Sequence, residues 1–147
     1  MNSLGAHVPS RLAAVCAVAI VCLAGSVMAR QAPGKDDPEA AKIKNPVAST
    51  PESIGAGQKT FQSLCAGCHG KDGKAGIIIS VIEDRGGTQP PDLTDEKWDH
   101  GSSDGELFMV VKKGVAPDYF MAPWDGRASD TEIWNMVNYI KSLSQKK

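Results

Sequence analysis

Aromatic side chains are scarce in this sequence. Three Trp, two Tyr and three Phe make up 5% of 147 residues, little for a domain that must fill a core unaided. An excess of basic charge is also missing: 16 Lys and Arg stand against 17 Asp and Glu, a net charge of −1. Nucleic-acid binding requires a clustered basic surface, and none is present. Cysteine is thin as well. Of four in the chain, Cys16 and Cys22 fall in an N-terminal segment that reads as a leader, which leaves Cys65 and Cys68. Two sulfurs do not make a four-sulfur zinc site. Neither leader cysteine sits in a lipoprotein context, since each follows a valine rather than Gly or Ala.

The leader is read from its charge and its ending. Residues 1–11 hold one charge, Arg11, and no acid; residues 12–29 are apolar or small and end Ser26-Val27-Met28-Ala29. Val at −3 and Ala at −1 suit signal peptidase, so cleavage after Ala29 and export to the periplasm are expected. The apolar centre, about a dozen residues, is short for a membrane span. The whole 18-residue run nevertheless reaches the lower limit, so an uncleaved anchor is the alternative. Removing 1–29 takes away Arg11 alone and leaves a net charge of −2. Residues 30–49 mix Pro, Ala, Lys and acids without apolar period and read as a flexible or partly ordered tether. The folded domain is expected over 50–147.

The chemistry is concentrated in Cys65-Ala66-Gly67-Cys68-His69. Cysteines three apart followed at once by histidine form the attachment pattern of a covalent c-type haem. On one helical turn the two thiols reach neighbouring vinyl groups, and His69, four residues after Cys65, comes to the same face. Histidine is the usual proximal ligand of haem iron. A buried haem would also supply the apolar bulk that the aromatics do not. In an oxidising compartment the same two cysteines could instead serve as a thiol–disulfide pair.

Around this motif the chain reads as helices with long connections. A first helix begins near Ser49, with Pro51 in its first turn and Glu52 closing an S-x-x-E box; a start nearer Ser53 is the alternative. It carries Ile54, Gly57, Phe61 and Leu64 on one face. Gly57 costs about 1 kcal/mol against Ala, a cost a helix tolerates where another backbone must come close. The run Gly76–Ile82 is β-branched, but no second strand of that quality exists, so it is expected as an extended loop rather than part of a sheet. Asp95–Trp98 reads as a helical turn capped by Thr94. Ser103-Asp104-Gly105-Glu106 opens a second helix over about 104–113, with Leu107, Val110 and Val111 facing the core. Ser129-Asp130-Thr131-Glu132 opens a third, to about Leu143, with Ile133, Met136, Val137 and Ile140 on one stripe. Residues 115–128 form a loop. Such loops are uncommon in a small domain unless something organises them.

An electron-transfer haem fills both axial positions. The candidates for the second are Met109, Met121, Met136 and His100. Met109 and Met136 fall inside helices, where methionine usually fills gaps. Met121 lies in a loop beside Pro123 and Trp124, where irregular backbone can aim a thioether, and it is the expected ligand. A His/Met pair raises the potential relative to two histidines. The other ring nitrogen of His69 needs an acceptor, and proline carbonyls in 88–93 are the candidates.

Together these residues resemble the class I c-type cytochrome family over about 50–145. The resemblance rests on Gly57 and Phe61 before Cys65-Ala66-Gly67-Cys68-His69, then Pro91-Asp92-Leu93, Met121-Ala122-Pro123-Trp124 and a terminal helix bearing Tyr139. It implies an all-α, cytochrome c-like fold of three to four helices with long loops wrapped around one covalent haem c. It further implies that Pro91 gives its carbonyl to His69, that Leu93 touches the haem, and that Gly57 and Phe61 cross the last helix against Met136 and Tyr139. Lys71–Gln89 is longer than in compact members. The function implied is one-electron transfer, not catalysis, through an exposed haem edge at Cys65 and Cys68. The partners would be a membrane oxidoreductase or a soluble dehydrogenase, with no nucleic acid and with membrane attachment only if the leader is retained. The rivals are a haem catalyst or gas sensor with an open distal site, and a thiol–disulfide oxidoreductase using Cys65 and Cys68.

Overall fold

The computed structural model describes residues 37–75 and 79–144. The expected leader lies outside these residues, as do Ile77 and Ile78 of the isoleucine run. Three long helices stand where the sequence places them: α2 (Pro51–Leu64), α5 (Asp104–Lys113) and α6 (Asp130–Ser144). Three short ones accompany them: α1 (Pro38–Lys42), α3 (Ala66–His69) and α4 (Ile79–Asp84). Among the described residues there is no strand, and no helix is long and apolar enough to cross a membrane.

The helix starts follow capping chemistry, with one shift. On α2 the N-cap is Thr50, not Ser49, and Ser53, not Glu52, closes the box. The Ser53 hydroxyl accepts from the Thr50 N–H at 3.1 Å and donates to the Ala48 carbonyl at 2.8 Å. A short hydroxyl can do both while buried, whereas the Glu52 carboxylate stays in water. On α5 and α6 the expected boxes form: Ser103 with Glu106, and Ser129 with Glu132. The turn expected at Asp95–Trp98 is not helical. Its backbone N–H groups are taken by side chains instead, Thr94 N–H by Asp92 and Lys97 N–H by Asp95, the competition that favours turns over helix.

The core is the crossing of α2 and α6. Gly57 is buried there, and a Cβ on it would lie 2.0 Å from the Asn135 carbonyl oxygen. One turn on, Phe61 meets Tyr139 edge to face at 5.2 Å between ring centres. Ile133, Met136 and Val137 are fully buried behind them. On α6, Trp134 and Asn138 are buried too, beyond the single stripe read from the sequence: Trp134 stacks on Phe108 of α5, 3.9 Å between ring centres, and a second layer covers Asn138.

That layer is the stretch expected as a tether. From Asp37 onward it packs on the domain. Ala40 is 2% exposed, and the α1 backbone crosses α5 at Gly105, where a Cβ would lie 2.0 Å from the Ala40 carbonyl oxygen. Asn45 then donates to the Asn138 side chain at 2.9 Å and to the Trp134 carbonyl at 3.2 Å. Asn138 in turn donates to the Val47 carbonyl and the Ser53 hydroxyl. A satisfied buried amide of this kind fixes one register between strap, α2 and α6.

The isoleucine run also departs from the expected extended loop, because Ile79–Asp84 is helical. Ile82 is 7% exposed and Val81 46%, so one side chain of the pair is anchored and the other is left in solvent. Packing of Ile82 against the Gly87 turn overrides the β preference of the run.

Two outcomes follow from these contacts. Gly57→Ala gains helix propensity but forces α2 and α6 apart, so a net loss of about 1–3 kcal/mol is expected in the denaturant midpoint. The Ser103 hydroxyl and backbone N–H hold Glu106 below its ordinary carboxylate range. Its contribution is therefore full above the unfolded value and is lost as pH falls through the lowered folded one. Glu106→Gln should flatten the acid limb of the melting temperature against pH.

Candidate haem site

α2 ends at Cys65, whose backbone (φ −114°, ψ −29°) breaks the helix and opens α3. The turn is tight: Cys68 and His69 N–H both reach the Cys65 carbonyl, at 3.1 and 3.0 Å. Gly70, at φ +74°, then ends α3, and Ala75 N–H returns to the His69 carbonyl at 2.9 Å. Leu93 N–H donates to the Gly73 carbonyl at 2.8 Å, which ties the Pro91–Leu93 segment to the attachment turn.

Cys65, Cys68 and His69 line one cavity of about 610 Å³, within the range of about 300–1,000 Å³ that prosthetic groups and other ligands occupy. Its walls are mostly apolar: Phe61 and Leu64 of α2, Leu107, Val110 and Val111 of α5, Ile140 of α6, and the loop residues Pro90, Pro91 and Leu93. Met121 lines it, as do Trp98, His100 and Trp124; Met109 and Met136 do not. Met136 is fully buried with its sulfur 3.9 Å from the Cys65 sulfur, a packing contact. Cys65, Cys68, His69, Pro91, Leu93 and Met121 thus line one space. Sequence reading missed Ile82, Phe120 and the Val115–Pro117 backbone as walls. Phe120 was within reach, one residue before Met121, while the others depend on how the loops fold back.

Burial is the main cause of the shifts at both Cys65 and His69. It pushes the Cys65 thiol up to about 11, with Cys68 adding to the effect. It lowers His69 from its ordinary value, favouring the neutral imidazole that binds metal. A thiol–disulfide catalyst needs the opposite, a thiolate of lowered pKa, so the site is ill suited to that chemistry. The His69 ring lies beside Phe61, 6.3 Å between centres. Its Nδ1 is buried without a hydrogen-bond partner. The expected bond to the Pro91 carbonyl is therefore not made in this structure, although Pro91 stands at the cavity. Two thiols, a neutral imidazole and a thioether around an apolar cavity fit a c-type haem.

The loop that brings Met121 to the cavity is built on the end of α5. Val115 N–H donates to the Met121 carbonyl at 2.9 Å, Trp124 N–H to Val111 at 3.2 Å, and Asp125 N–H to Lys112 at 3.0 Å. Arg127 stacks over Trp124, 4.2 Å from the ring centre.

The family described as "Cytochrome C oxidase, cbb3-type, subunit III" matches residues 52–140, more than half of the chain. This chain belongs to that family. It is a c-type cytochrome domain, and its function is electron transfer through haem. Among its relatives, the Cbb3-type cytochrome c oxidase subunit FixP of Bradyrhizobium sp. (strain ORS 278) is 33% identical over 88 residues, 60% of this chain and 27% of that protein. The Cbb3-type cytochrome c oxidase subunit CcoP of Rhodobacter capsulatus is 32% identical over 94 residues, 60% and 28% respectively. The chain spans about a quarter of the length of these curated relatives. Among solved structures, the Kuenenia stuttgartiensis reducing HAO-like protein complex aligns with a TM-score of 0.60 at 29% identity, covering 70% of this chain and 48% of that one. Cytochrome CL of Methylophaga aminisulfidivorans shares the fold, with a TM-score of 0.52 at 24% identity over 65% and 59%.

The cytochrome domain places Phe61 between the haem turn and α6, 1% exposed. Phe61→Ala should cost about 3–5 kcal/mol, measured by denaturant unfolding of the haem-loaded protein.

Proposed function

We propose that this cytochrome domain is a one-electron carrier of a periplasmic respiratory chain. It holds one haem c through thioethers to Cys65 and Cys68, with His69 and Met121 as the axial ligands. The observation that supports this most strongly is the division among the methionines. Met121 lines the same cavity as the attachment turn, whereas Met109 and Met136 do not. When bound, the haem supplies a single iron centre that cycles between ferric and ferrous.

The rest of the work falls to the chain. The apolar walls exclude water, which limits reorganisation around the changing charge. Burial keeps the His69 imidazole neutral and available to donate from nitrogen. The soft Met121 sulfur favours the reduced state. Thr88, Gln89, Lys97 and His100 offer polar groups suited to the haem carboxylates, whereas the acids Asp99 and Asp118 at the same cavity are not. The redox partner proposed is a membrane oxidoreductase, which the oxidase-subunit names of the relatives support. In such an assembly the domain relays electrons and is not itself the catalyst.

Denaturation of the purified protein is expected to leave one haem attached per chain, with no thiol free at Cys65 or Cys68. Met121→Ala should abolish the iron–sulfur charge-transfer band of the ferric form and let the ferrous form bind carbon monoxide. A band that survives this substitution rules Met121 out. Ready carbon monoxide binding by the unsubstituted protein would point instead to an open distal site.

A further inference from the structure

The loop around Met121 is bonded within itself, Tyr119 N–H to the Val115 carbonyl at 3.0 Å and Phe120 N–H to the Asp118 carboxylate at 3.1 Å. Tyr119 sits in the left-handed region at φ +53° and is 48% exposed, a position a bulky side chain occupies only when its surroundings impose it. The loop as a whole is placed from its two ends, and both dock on the last turn of α5.

At the entry is Gly114, with φ +70° and ψ −177°, a combination essentially reserved for glycine. The space beside it is closed by the loop itself. A Cβ there would lie 2.5 Å from the Met121 carbonyl oxygen, 2.8 Å from the Pro123 nitrogen and 3.0 Å from the Ala122 carbonyl carbon. All three are backbone atoms, so none can rotate away. The next residue, Val115, donates its N–H to that same Met121 carbonyl. Bare Cα on one side and one hydrogen bond on the other fix how far the Met121 backbone stands from α5.

At the exit is Asp125. Its N–H reaches the Lys112 carbonyl, and its carboxylate accepts from Lys113 at 2.7 Å, with the Lys112 ammonium 3.8 Å away. Lys112 also pairs with Asp130 at the start of α6, at 2.5 Å.

We propose that Gly114 and Asp125 are the positioning residues of the axial methionine: Gly114 sets the distance of the Met121 backbone from α5, and Asp125 locks the far end of the loop. The proposal rests on the reading of Met121 as iron ligand. Neither residue needs to touch the iron. Each acts by restricting where the thioether can be, and so by how well it competes with an external ligand for the sixth position.

The test uses the haem-loaded protein and two readouts, the ferric iron–sulfur band and the affinity for imidazole. Gly114→Ala should lose most of the band and bind imidazole at least tenfold more tightly. Asp125→Ala, an exposed change that folding tolerates, should tighten imidazole binding several-fold while keeping part of the band. Two controls carry the same chemical change elsewhere. Gly86→Ala alters a glycine at φ +74° with nothing within 4 Å, and Glu39→Ala breaks the exposed Lys42 pair of α1; both should match the parent.

If Gly114→Ala gives no folded holoprotein, Asp125→Ala decides alone. Parental band and affinity in the deciding variant overturn the proposal, as does an equal effect in the matching control. Met121→Ala separates the two layers. A band that survives it sinks the ligand assignment. A band lost there but intact in Gly114→Ala and Asp125→Ala sinks only the positioning.

Discussion

The rest of the structure depends on two helix backbones touching at Gly57. A side chain at this position would hold α2 and α6 apart, since even a Cβ meets the Asn135 carbonyl at 2.0 Å. With the helices in contact, Phe61 falls one turn later against Tyr139, and the end of α2 delivers Cys65 beside Met136. The haem turn is therefore not a free loop. It is the last turn of a helix whose position is set by a contact eight residues earlier. The glycine sacrifices helix propensity, and the close approach it permits offsets that loss with aromatic and aliphatic packing.

On this frame the cavity is assembled from parts that have little stability of their own. α5 contributes three aliphatic side chains and then, through its last turn, the platform for the Met121 loop. The Pro91–Leu93 segment is tied by one backbone bond to Gly73. The strap over 37–49 buttresses α5 at Gly105 and α6 at Asn138, on helix faces other than those that line the cavity. A tug on the chain N-terminal to the strap would thus load the scaffold before it reached the donors.

Much of this was legible in the sequence, for physical reasons that differ by element. α5 and α6 are local: each has a serine–glutamate box at its start and a run of apolar residues at helical spacing, so pattern alone locates them. The attachment turn is equally local, five residues that must sit on one helical turn to work. Met121 could be singled out as a candidate because irregular backbone beside proline can aim a thioether, while Met136 lies on the core stripe of α6 and is fully buried. What could not be read were features settled by partners distant in the chain. The strap looks like a tether because its anchoring amide, Asn45, is polar, and its acceptors at Trp134 and Asn138 lie about ninety residues away. Ile79–Asp84 looks like strand because β-branched residues prefer it, and only the pocket waiting for Ile82 reverses the preference. The Thr50 cap was displaced by one residue because Ser53 had a further carbonyl, Ala48, within reach.

Burial connects the chemistry proposed for the site to the fold. Protein interiors pack as densely as organic crystals, whereas the mostly apolar walls of this cleft of about 610 Å³ face one another without touching. The loops over 85–103 and 115–128 have few buried side chains with which to offset the entropy of their ordering. A group that fills the cavity supplies the missing contacts to all of them at once, so its binding free energy is also folding free energy. The same burial that keeps Cys65 a neutral thiol and His69 a neutral imidazole makes the site a poor redox dithiol. The neutral imidazole is the form that ligates iron in the proposed site. Covalent attachment, as proposed for Cys65 and Cys68, would make that stabilisation permanent and let a chain with so few aromatics keep long irregular loops in one arrangement.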